Sequence, residues 1–195
     1  MALTASTQLP LGSCAPDFSL PDTVTGNEVR LQDFKGAKGV LLFFICNHCP
    51  YVKLIQVELS AIGRDYMHRG IAMAAISAND VSIRPEDGPE AMKKEAERVG
   101  YPFPYLYDES QEVAKAYQAA CTPDIYLFDK EFKLVYRGQL DEARPNKNIP
   151  VTGADLRQAL DGLLAGRAIS SEQKASVGCN IKWKAGNEPA YFKKP

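Results

Sequence analysis

The sequence predicts an α/β fold in which helices flank a central mixed β-sheet, with an N-terminal β-hairpin and an extended C-terminal tail. Two apolar runs, Val40–Ile45 and Ile71–Ile76, have the length and composition of strands covered on both faces. A third run, Ile125–Phe128, is β-branched and aromatic, and it follows a proline. We therefore expect all 195 residues to form one domain, with a core over about 12–166 and an extension over 167–195.

The first third of the chain alternates turn signals with apolar patterns. Residues 1–11 are expected to be a loose arm, and 12–34 a hairpin around the turn Thr25–Glu28, which leads into the strand Val40–Ile45. Directly after it, apolar residues recur at steps of three and four, which predicts a helix with Pro50 in its first turn. These residues are Val52, Ile55, Leu59, Ile62 and Tyr66.

The rest of the core repeats this alternation. Gly70 ends the first helix before the strand Ile71–Ile76, and Glu86–Glu90 is a helix start signal after a polar loop. The remaining predicted elements are a helix to about Val99, a strand at Phe103–Tyr107, a helix at Ser110–Tyr117, a strand after Pro123, its antiparallel partner at Lys133–Gly138 and a helix that ends at Gly166. Residues 167–195 show no periodicity, and Trp183 is expected to anchor them against the body.

Composition excludes several functional classes. The formal net charge is -1, which argues against nucleic acid or an anionic membrane as a partner. No apolar run approaches the roughly 18 residues that a membrane span needs. The N-terminal residues lack the pattern of a signal peptide, so we expect a cytoplasmic protein. Its five cysteines are then more consistent with catalysis, sensing or burial than with structural disulfides.

The motif that carries chemistry is Cys46-Asn-His-Cys49, between the first central strand and the first helix. A helix N-terminus favours a thiolate over a thiol, and the thiolate is the nucleophile in disulfide exchange. We predict Cys46 as an exposed attacking sulfur and Cys49 as the partner that closes the disulfide. His48 lies between them and is expected to lower the pKa of Cys46.

The same spacing is also half of a zinc site. A structural zinc site needs a second pair of ligands, and the sequence has no second Cys-x-x-Cys and no His-x-x-x-His. Redox chemistry is therefore favoured, and neither a metal nor a cofactor is expected. Cys14 is interpreted as a small packed residue, with a resolving role as the alternative. Cys179 is either part of the anchored tail or a thiol that exchanges disulfides with the active pair.

Several motifs together resemble a known family. The order of elements is similar to the thioredoxin fold, and Gly-x-x-Ala-Pro-Asp-Phe at 12–18 with Val-x-Leu-x-Asp-Phe-Lys-Gly at 29–36 resembles the alkyl hydroperoxide reductase and thiol-specific antioxidant branch. Within that branch, Cys-Asn-His-Cys-Pro-Tyr-Val, Thr-Pro-Asp-x-Tyr-x-Phe-Asp and Gly-Cys-Asn-Ile-Lys-Trp-Lys are similar to peroxiredoxin-like thioredoxin-family proteins.

The resemblance implies roles for individual residues. It implies Cys46 as the nucleophile and Cys49 as the resolving partner. It also implies that Thr122-Pro123 is the cis-proline segment that faces the two cysteines and offers substrate an extended backbone edge. Cys121 would then lie close to the dithiol, either as a further redox residue or as a buried spacer.

Two departures from the family patterns limit what can be transferred. Peroxiredoxins carry Thr-x-x-Cys and a later Arg that orient peroxide, whereas here Cys46 replaces the Thr and Pro123 replaces the Arg. Thioredoxins bury an Asp six residues before the first Cys, and Val40 stands there in this chain. A proton shuttle must come from His48 or from a residue that the sequence does not identify, and His48 alternatively only modulates a pKa.

The predicted function is that of a thiol–disulfide oxidoreductase. Its partners would be a disulfide-containing protein, a small disulfide or a peroxide, together with a thiol reductant, and it could form a homodimer. The alternatives are a thiol peroxidase that uses Cys46 or Cys49, a redox-sensing or metal-binding protein with Cys46, Cys49 and Cys121 as ligands, and a scaffold with an idle disulfide.

Overall fold

The computed structural model describes residues 3–7 and 9–192. Within them the strands are β1 (Leu3–Ala5), β2 (Ser19–Pro21), β3 (Glu28–Arg30), β4 (Gly39–Phe44), β5 (Ile71–Ser77), β6 (Tyr105–Tyr107), β7 (Cys121–Thr122), β8 (Asp124–Asp129), β9 (Leu134–Tyr136) and β10 (Val177–Asn180). The α-helices are α1 (Pro50–Met67), α2 (Pro89–Val99), α3 (Glu112–Ala116) and α4 (Ala154–Leu164). Each central element predicted from the sequence is present.

The central sheet has the strand order β6-β5-β4-β8-β9. Strand β4 runs parallel to β5 and antiparallel to β8, so the sheet is mixed as predicted. Its side chains alternate between two apolar clusters: Leu41 and Phe43 belong to one, and Leu42 and Phe44 to the other. Because both faces of β4 are covered, every residue in it is apolar, and this is why the run was recognisable.

Helix α1 begins where β4 and its following loop end. Pro50 is its first residue and Cys49 its N-cap, so Cys49 directly precedes the helix. Pro50 costs no hydrogen bond there, because the first N–H groups of a helix have no intrahelical acceptor. All five apolar positions predicted for this helix are buried. The loop that holds the two cysteines is therefore fixed at one end by a strand and at the other by a helix.

The N-terminal segment contains three short strands. The predicted hairpin is formed by β2 and β3. The prediction of a loose arm is wrong for residues 3–5, because β1 pairs with β10 of the tail, Leu3 opposite Cys179. Residues 1, 2 and 8 of that arm lie outside the described residues. A three-residue strand whose partner lies more than 170 positions away leaves no periodic signal in the sequence.

The tail crosses the body as a strand and is anchored beyond it. Strand β10 also pairs with β7, with Cys179 opposite Thr122 and Asn180 opposite Cys121. The amide of Lys182 donates to Oδ1 of Asn79 (2.8 Å), and Trp183 is 5% exposed, as expected for an anchor. No described helix is both long and apolar enough to cross a membrane.

Candidate active site

The structure brings together the residues singled out in the Cys-x-x-Cys motif and the Thr-Pro motif. Cys46 lies just after β4, and its Sγ is 3.5 Å from Nδ1 of His48 and 3.3 Å from Oγ1 of Thr122. The Sγ of Cys49 is 3.1 Å from the carbonyl oxygen of Thr122. The Thr122–Pro123 peptide bond is cis, as the resemblance implies. Both sulfurs therefore face the segment that leads from β7 into β8.

The expectation that Cys46 is exposed is wrong. Cys46 is 1% exposed and Cys49 is 0% exposed. On one side, the amide side chain of Asn47 donates to the carbonyl of Glu86 (2.8 Å), so the segment before α2 lies against the loop. On the other side lie β7 and the tail. The motif alone carries no information about these segments, which are distant in sequence and cover the sulfurs.

A buried acid supports the loop. The Oδ1 of Asp87 accepts the backbone amides of Asn47 (2.8 Å) and His48 (3.1 Å). Its Oδ2 lies 2.6 Å from Nδ1 of His48 and accepts Nδ2 of Asn79 at 2.7 Å. Asp87 has no exposed surface. One carboxylate thus positions both residues between the cysteines and orients the imidazole.

This acid changes the predicted electrostatics of the site. Burial by itself would raise the pKa of Asp87, but hydrogen bonds from His48 and Asn79 outweigh it and hold that pKa below its ordinary value of 3.8. Burial, the neighbouring Cys49 and the charge of Asp87 raise the pKa of Cys46 well above its ordinary value. The expectation that His48 lowers the pKa of Cys46 is wrong, because Asp87 takes the hydrogen bond from the imidazole.

Sequence reasoning did not identify Asp87. It falls in Glu86-Asp87-Gly88-Pro89, a typical helix start, and that interpretation explains an acid there without any further role. The available signal was the missing buried acid of the thioredoxin pattern, which implied a substitute elsewhere. Only the packing of this segment against the cysteine loop identifies which acid it is.

A third sulfur interacts with the pair. Cys46, Cys49 and Cys179 belong to one buried cluster, and interaction with the thiols of Cys179 and Cys46 lowers the pKa of Cys49. Interaction with Cys49 and burial raise the pKa of Cys179. Cys49 therefore lies between two sulfur partners and is the most acidic of the three. The five cysteines are not joined by disulfide bonds in this structure.

Cys121 and Cys14 have different surroundings. The thiol of Cys121 is buried against the carbonyl oxygens of Pro123 (3.5 Å) and Ser176 (4.0 Å), and burial raises its pKa. Cys14 is exposed, so its interpretation as a packed residue is wrong, and its Sγ is 2.8 Å from Nζ of Lys133. Lys133 lies beyond the Asp129 end of β8, whereas the active cysteines lie near its Asp124 end. Cys14 and the active cysteines therefore lie at opposite ends of this strand.

The backbone edge implied for substrate is already paired. Strand β10 is hydrogen-bonded to β7 at Thr122, immediately before Pro123. An incoming peptide could pair there only after the tail moves. A separate open pocket of about 540 Å³ adjoins the loop and is lined by Asn47, His48, Lys53, Arg84, Glu86, Ala91 and Glu95. The buried Nε2 of His48 has no hydrogen-bond partner among the described residues.

One group of side chains has the composition of a metal site. Donor atoms of Cys46, His48 and Asp87 all lie within 4.8 Å of one another. The metal-binding alternative predicted from the sequence used a different set of ligands, namely Cys46, Cys49 and Cys121. Two ligands of one tetrahedral ion at ~2.0 Å lie roughly 3.3 Å apart, whereas Nδ1 of His48 and Oδ2 of Asp87 are 2.6 Å apart. This hydrogen bond would have to break before both atoms could bind an ion.

Comparisons with known proteins show the family of this chain. The profile of the AhpC/TSA family matches residues 11–137. A thiol-disulfide oxidoreductase ResA of Geobacillus kaustophilus (strain HTA426) is 31% identical over 139 residues, which cover 70% of this chain and 75% of the relative.

Solved structures include two informative neighbours. An uncharacterized conserved protein from Geobacillus kaustophilus is 57% identical with a TM-score of 0.92, covering 94% of this chain and 97% of that chain. The thioredoxin domain of a thiol-disulfide oxidoreductase from Bacteroides vulgatus is 27% identical with a TM-score of 0.57, covering 70% of this chain and 90% of that chain. The chain therefore has a thioredoxin-like fold.

Proposed function

We propose that this chain, which belongs to the AhpC/TSA family and is a thiol–disulfide oxidoreductase, transfers electrons through Cys46 and Cys49. The observation that carries the proposal is that the Cys49 sulfur, at the N-cap of α1, and the Cys46 sulfur both contact Thr122, at 3.1 Å from its carbonyl oxygen and 3.3 Å from its Oγ1. Two sulfurs so placed can form and break a disulfide without a large movement of the backbone. The names of the relatives support the same reaction class.

The proposed reaction has two exchange steps. The Cys46 thiolate attacks one sulfur of a substrate disulfide, forms a mixed disulfide and releases the other substrate sulfur as a thiol. The Cys49 thiolate then attacks Cys46, which closes the Cys46–Cys49 disulfide and releases the second substrate thiol. The substrate gains two electrons and two protons. A thiol reductant returns the cysteines to their reduced state.

We assign the removal of the Cys46 proton to Asp87, with His48 as the residue that positions it. Nδ1 of His48 lies 3.5 Å from the Cys46 sulfur, and the residue also lines the open pocket. Asp87 holds the ring in place through Nδ1. The raised pKa of Cys46 means that its proton must be removed before attack. Because Nδ1 of His48 donates to Asp87, the acceptor we assign is the ionised Asp87 carboxylate, which lies within 4.8 Å of the sulfur, a span that one water can bridge.

For substrate binding we propose the segment Thr122–Pro123, reached when the tail strand moves aside. The partner is a disulfide of a protein or of a small molecule, and the electron donor is a thiol. We also propose a cytoplasmic location, where thiol reductants keep such a pair reduced. A homodimer remains a prediction from the sequence.

A trapping experiment tests the assignment of roles. In Cys49→Ser the first step can proceed but the second cannot, so we expect a mixed disulfide between Cys46 and the substrate to accumulate. The reduced variant is incubated with insulin, and adducts are mapped by mass spectrometry. Cys121→Ser is the matched control, because it also removes a buried thiol but leaves the resolving sulfur; it should turn over without a trapped adduct. No turnover of insulin or of oxidised glutathione by the wild-type chain would contradict the proposal.

Peroxide reduction is the second candidate. Cys49 occupies the position of the peroxidatic cysteine in the peroxiredoxin pattern, and its pKa is lowered. Against this reading, a buried carboxylate lies beside the Cys46 sulfur, whereas peroxide cleavage is assisted by a cation. We expect peroxide consumption by the reduced protein to be slow compared with disulfide reduction. Faster consumption of peroxide, lost in Cys49→Ser, would reverse this order.

A further inference from the structure

We propose that Cys179 is a third redox-active residue, and that the oxidised chain exchanges its disulfide between Cys46–Cys49 and Cys49–Cys179. This inference rests on the proposed function, because it starts from the disulfide that substrate reduction leaves behind. In the Cys49–Cys179 state, the strand of the C-terminal tail that covers the active site is joined to the active site by a disulfide bond.

The first argument is the position of the Cys49 sulfur. It lies 3.1 Å from the carbonyl oxygen of Thr122, the residue that β10 pairs with Cys179, and Cys46, Cys49 and Cys179 belong to one buried cluster. Thiol–disulfide exchange needs the attacking sulfur to reach the disulfide sulfur that it attacks, which here is that of Cys49. Cys121, although equally buried, has its thiol against two carbonyl oxygens instead.

The second argument is that the tail is held in place on both sides of Cys179. Before it, Oγ of Ser176 donates to the carbonyl of Gly138 (2.7 Å). After it, the amide of Ile181 donates to the carbonyl of Ala120 (3.2 Å), and Trp183 is buried. A tail that served only as a cover would not need a sulfur at the position that faces Cys49.

The third argument is the close approach of the tail at Gly178. A Cβ atom there would lie 2.0 Å from the carbonyl oxygen of Thr122, so the register of β10 on β7 requires glycine. That register places Cys179 opposite Thr122, whose hydroxyl contacts Cys46 and whose carbonyl contacts Cys49. The close packing of the strand thus brings the third sulfur to the pair.

The exchange is balanced without an external reagent. Cys179 loses its proton and attacks Cys49 in the Cys46–Cys49 disulfide. The Cys49–Cys179 bond forms, the Cys46–Cys49 bond breaks, and Cys46 leaves as a thiolate that takes up one proton. No net oxidation occurs, because one disulfide replaces another. The raised pKa of Cys179 makes the attack slow until its proton is removed, and the raised pKa of Cys46 favours the return of a proton there.

The decisive measurement maps disulfides in the native chain. Reduced wild-type protein is oxidised with one equivalent of diamide, alkylated and digested, and linked peptides are identified by mass spectrometry. We expect both the Cys46–Cys49 and the Cys49–Cys179 linkages. In Cys46→Ser, which has four thiols, the Cys49–Cys179 linkage should become the main product and leave two thiols. Cys121→Ser should give the wild-type pattern.

Absence of the Cys49–Cys179 linkage from the oxidised wild-type chain would overturn this inference, whatever the variants show. It would leave the proposed function intact if insulin is still reduced and the Cys49→Ser adduct still forms. Conversely, a chain that forms the linkage but reduces no disulfide would contradict the proposed function alone.

A glycine substitution tests separately whether the packing of β10 on β7 limits access to Cys49. In Gly178→Ala the added methyl group meets the backbone of Thr122, and the overpacking cost of about 1–3 kcal/mol should favour opening of the strand. We expect alkylation of Cys49 by iodoacetamide to accelerate about 5- to 150-fold. Gly162→Ala is the matched control, since its Cβ would lie at an ordinary 3.6 Å from Ile169. Equal alkylation rates in the two variants would show that β10 does not limit access.

Discussion

Cys46→Ser is expected to abolish disulfide reduction, with a loss of about a thousandfold or more, the scale seen when a nucleophile is removed. A serine hydroxyl stays protonated at neutral pH and attacks disulfides poorly. The fold should survive, because serine is nearly the same size and the hydroxyl can keep the contact with Oγ1 of Thr122. Turnover of insulin at pH 7 measures the loss.

The comparison with Cys49→Ser identifies the attacking sulfur. Both variants lose turnover, but a mixed disulfide should accumulate only where the attacker remains. The structure makes this a real question, since the pKa of Cys49 is lowered and that of Cys46 is raised. If the adduct forms on Cys49 in Cys46→Ser and not on Cys46 in Cys49→Ser, the two roles are reversed.

Asp87→Asn is expected to lower both activity and stability. In this variant an NH₂ group replaces the carboxylate oxygen that accepts hydrogen bonds from Nδ1 of His48 and Nδ2 of Asn79. The free energy of unfolding should fall by about 2–4 kcal/mol, since a charge-assisted bond is lost and a buried donor is left unpaired. Turnover should fall by about a hundredfold, because the carboxylate that accepts the Cys46 proton is lost. Urea unfolding and insulin reduction measure the two effects.

The same residue gives stability a pH dependence. The folded-state pKa of Asp87 lies below its ordinary value, so folding favours the ionised form. The resulting stabilisation is fully present above the unfolded-state pKa of about 3.9, and it is lost as pH falls through the folded pKa. Unfolding free energies between pH 7 and pH 3 should therefore decline less steeply in Asp87→Asn than in the wild-type chain.

Glu86→Gln is the matched control for both measurements. Glu86 is the adjacent acid in the same segment, but its side chain is exposed and its nearest cation, Arg84, is 3.7 Å away. An exposed pair of this kind contributes little to stability. Equal losses in Glu86→Gln and Asp87→Asn would mean that the net charge of the segment matters, and that the buried hydrogen bonds of Asp87 do not.

The sequence was most informative where burial is continuous along the chain. The run in β4 has no polar residue, because both faces are covered, and the helical spacing after Pro50 matches the face that α1 buries. Such patterns are local, and so strand, loop and helix around Cys46 and Cys49 could be predicted in order. The cis bond at Pro123 followed from resemblance to a family and not from any pattern in the residues.

The sequence was least informative where distant segments meet. Burial of Cys46, the contact of Asp87 with His48 and the pairing of Cys179 with Thr122 beside the two active-site sulfurs all join segments from different parts of the chain. In the sequence, Asp87 is an ordinary helix-start acid and Cys179 belongs to a tail without periodicity. Their roles depend on packing, because a carboxylate or a thiol acquires a shifted pKa only from the groups that surround it.

By itself, then, the sequence determined the α/β architecture and the chemistry of two cysteines at a helix start, because both are set by residues close together along the chain. The tertiary structure alone decided which sulfur is acidic, which carboxylate holds the histidine and what covers the site. Those properties come from desolvation and hydrogen bonding in a folded interior, where residues more than a hundred positions apart share one environment.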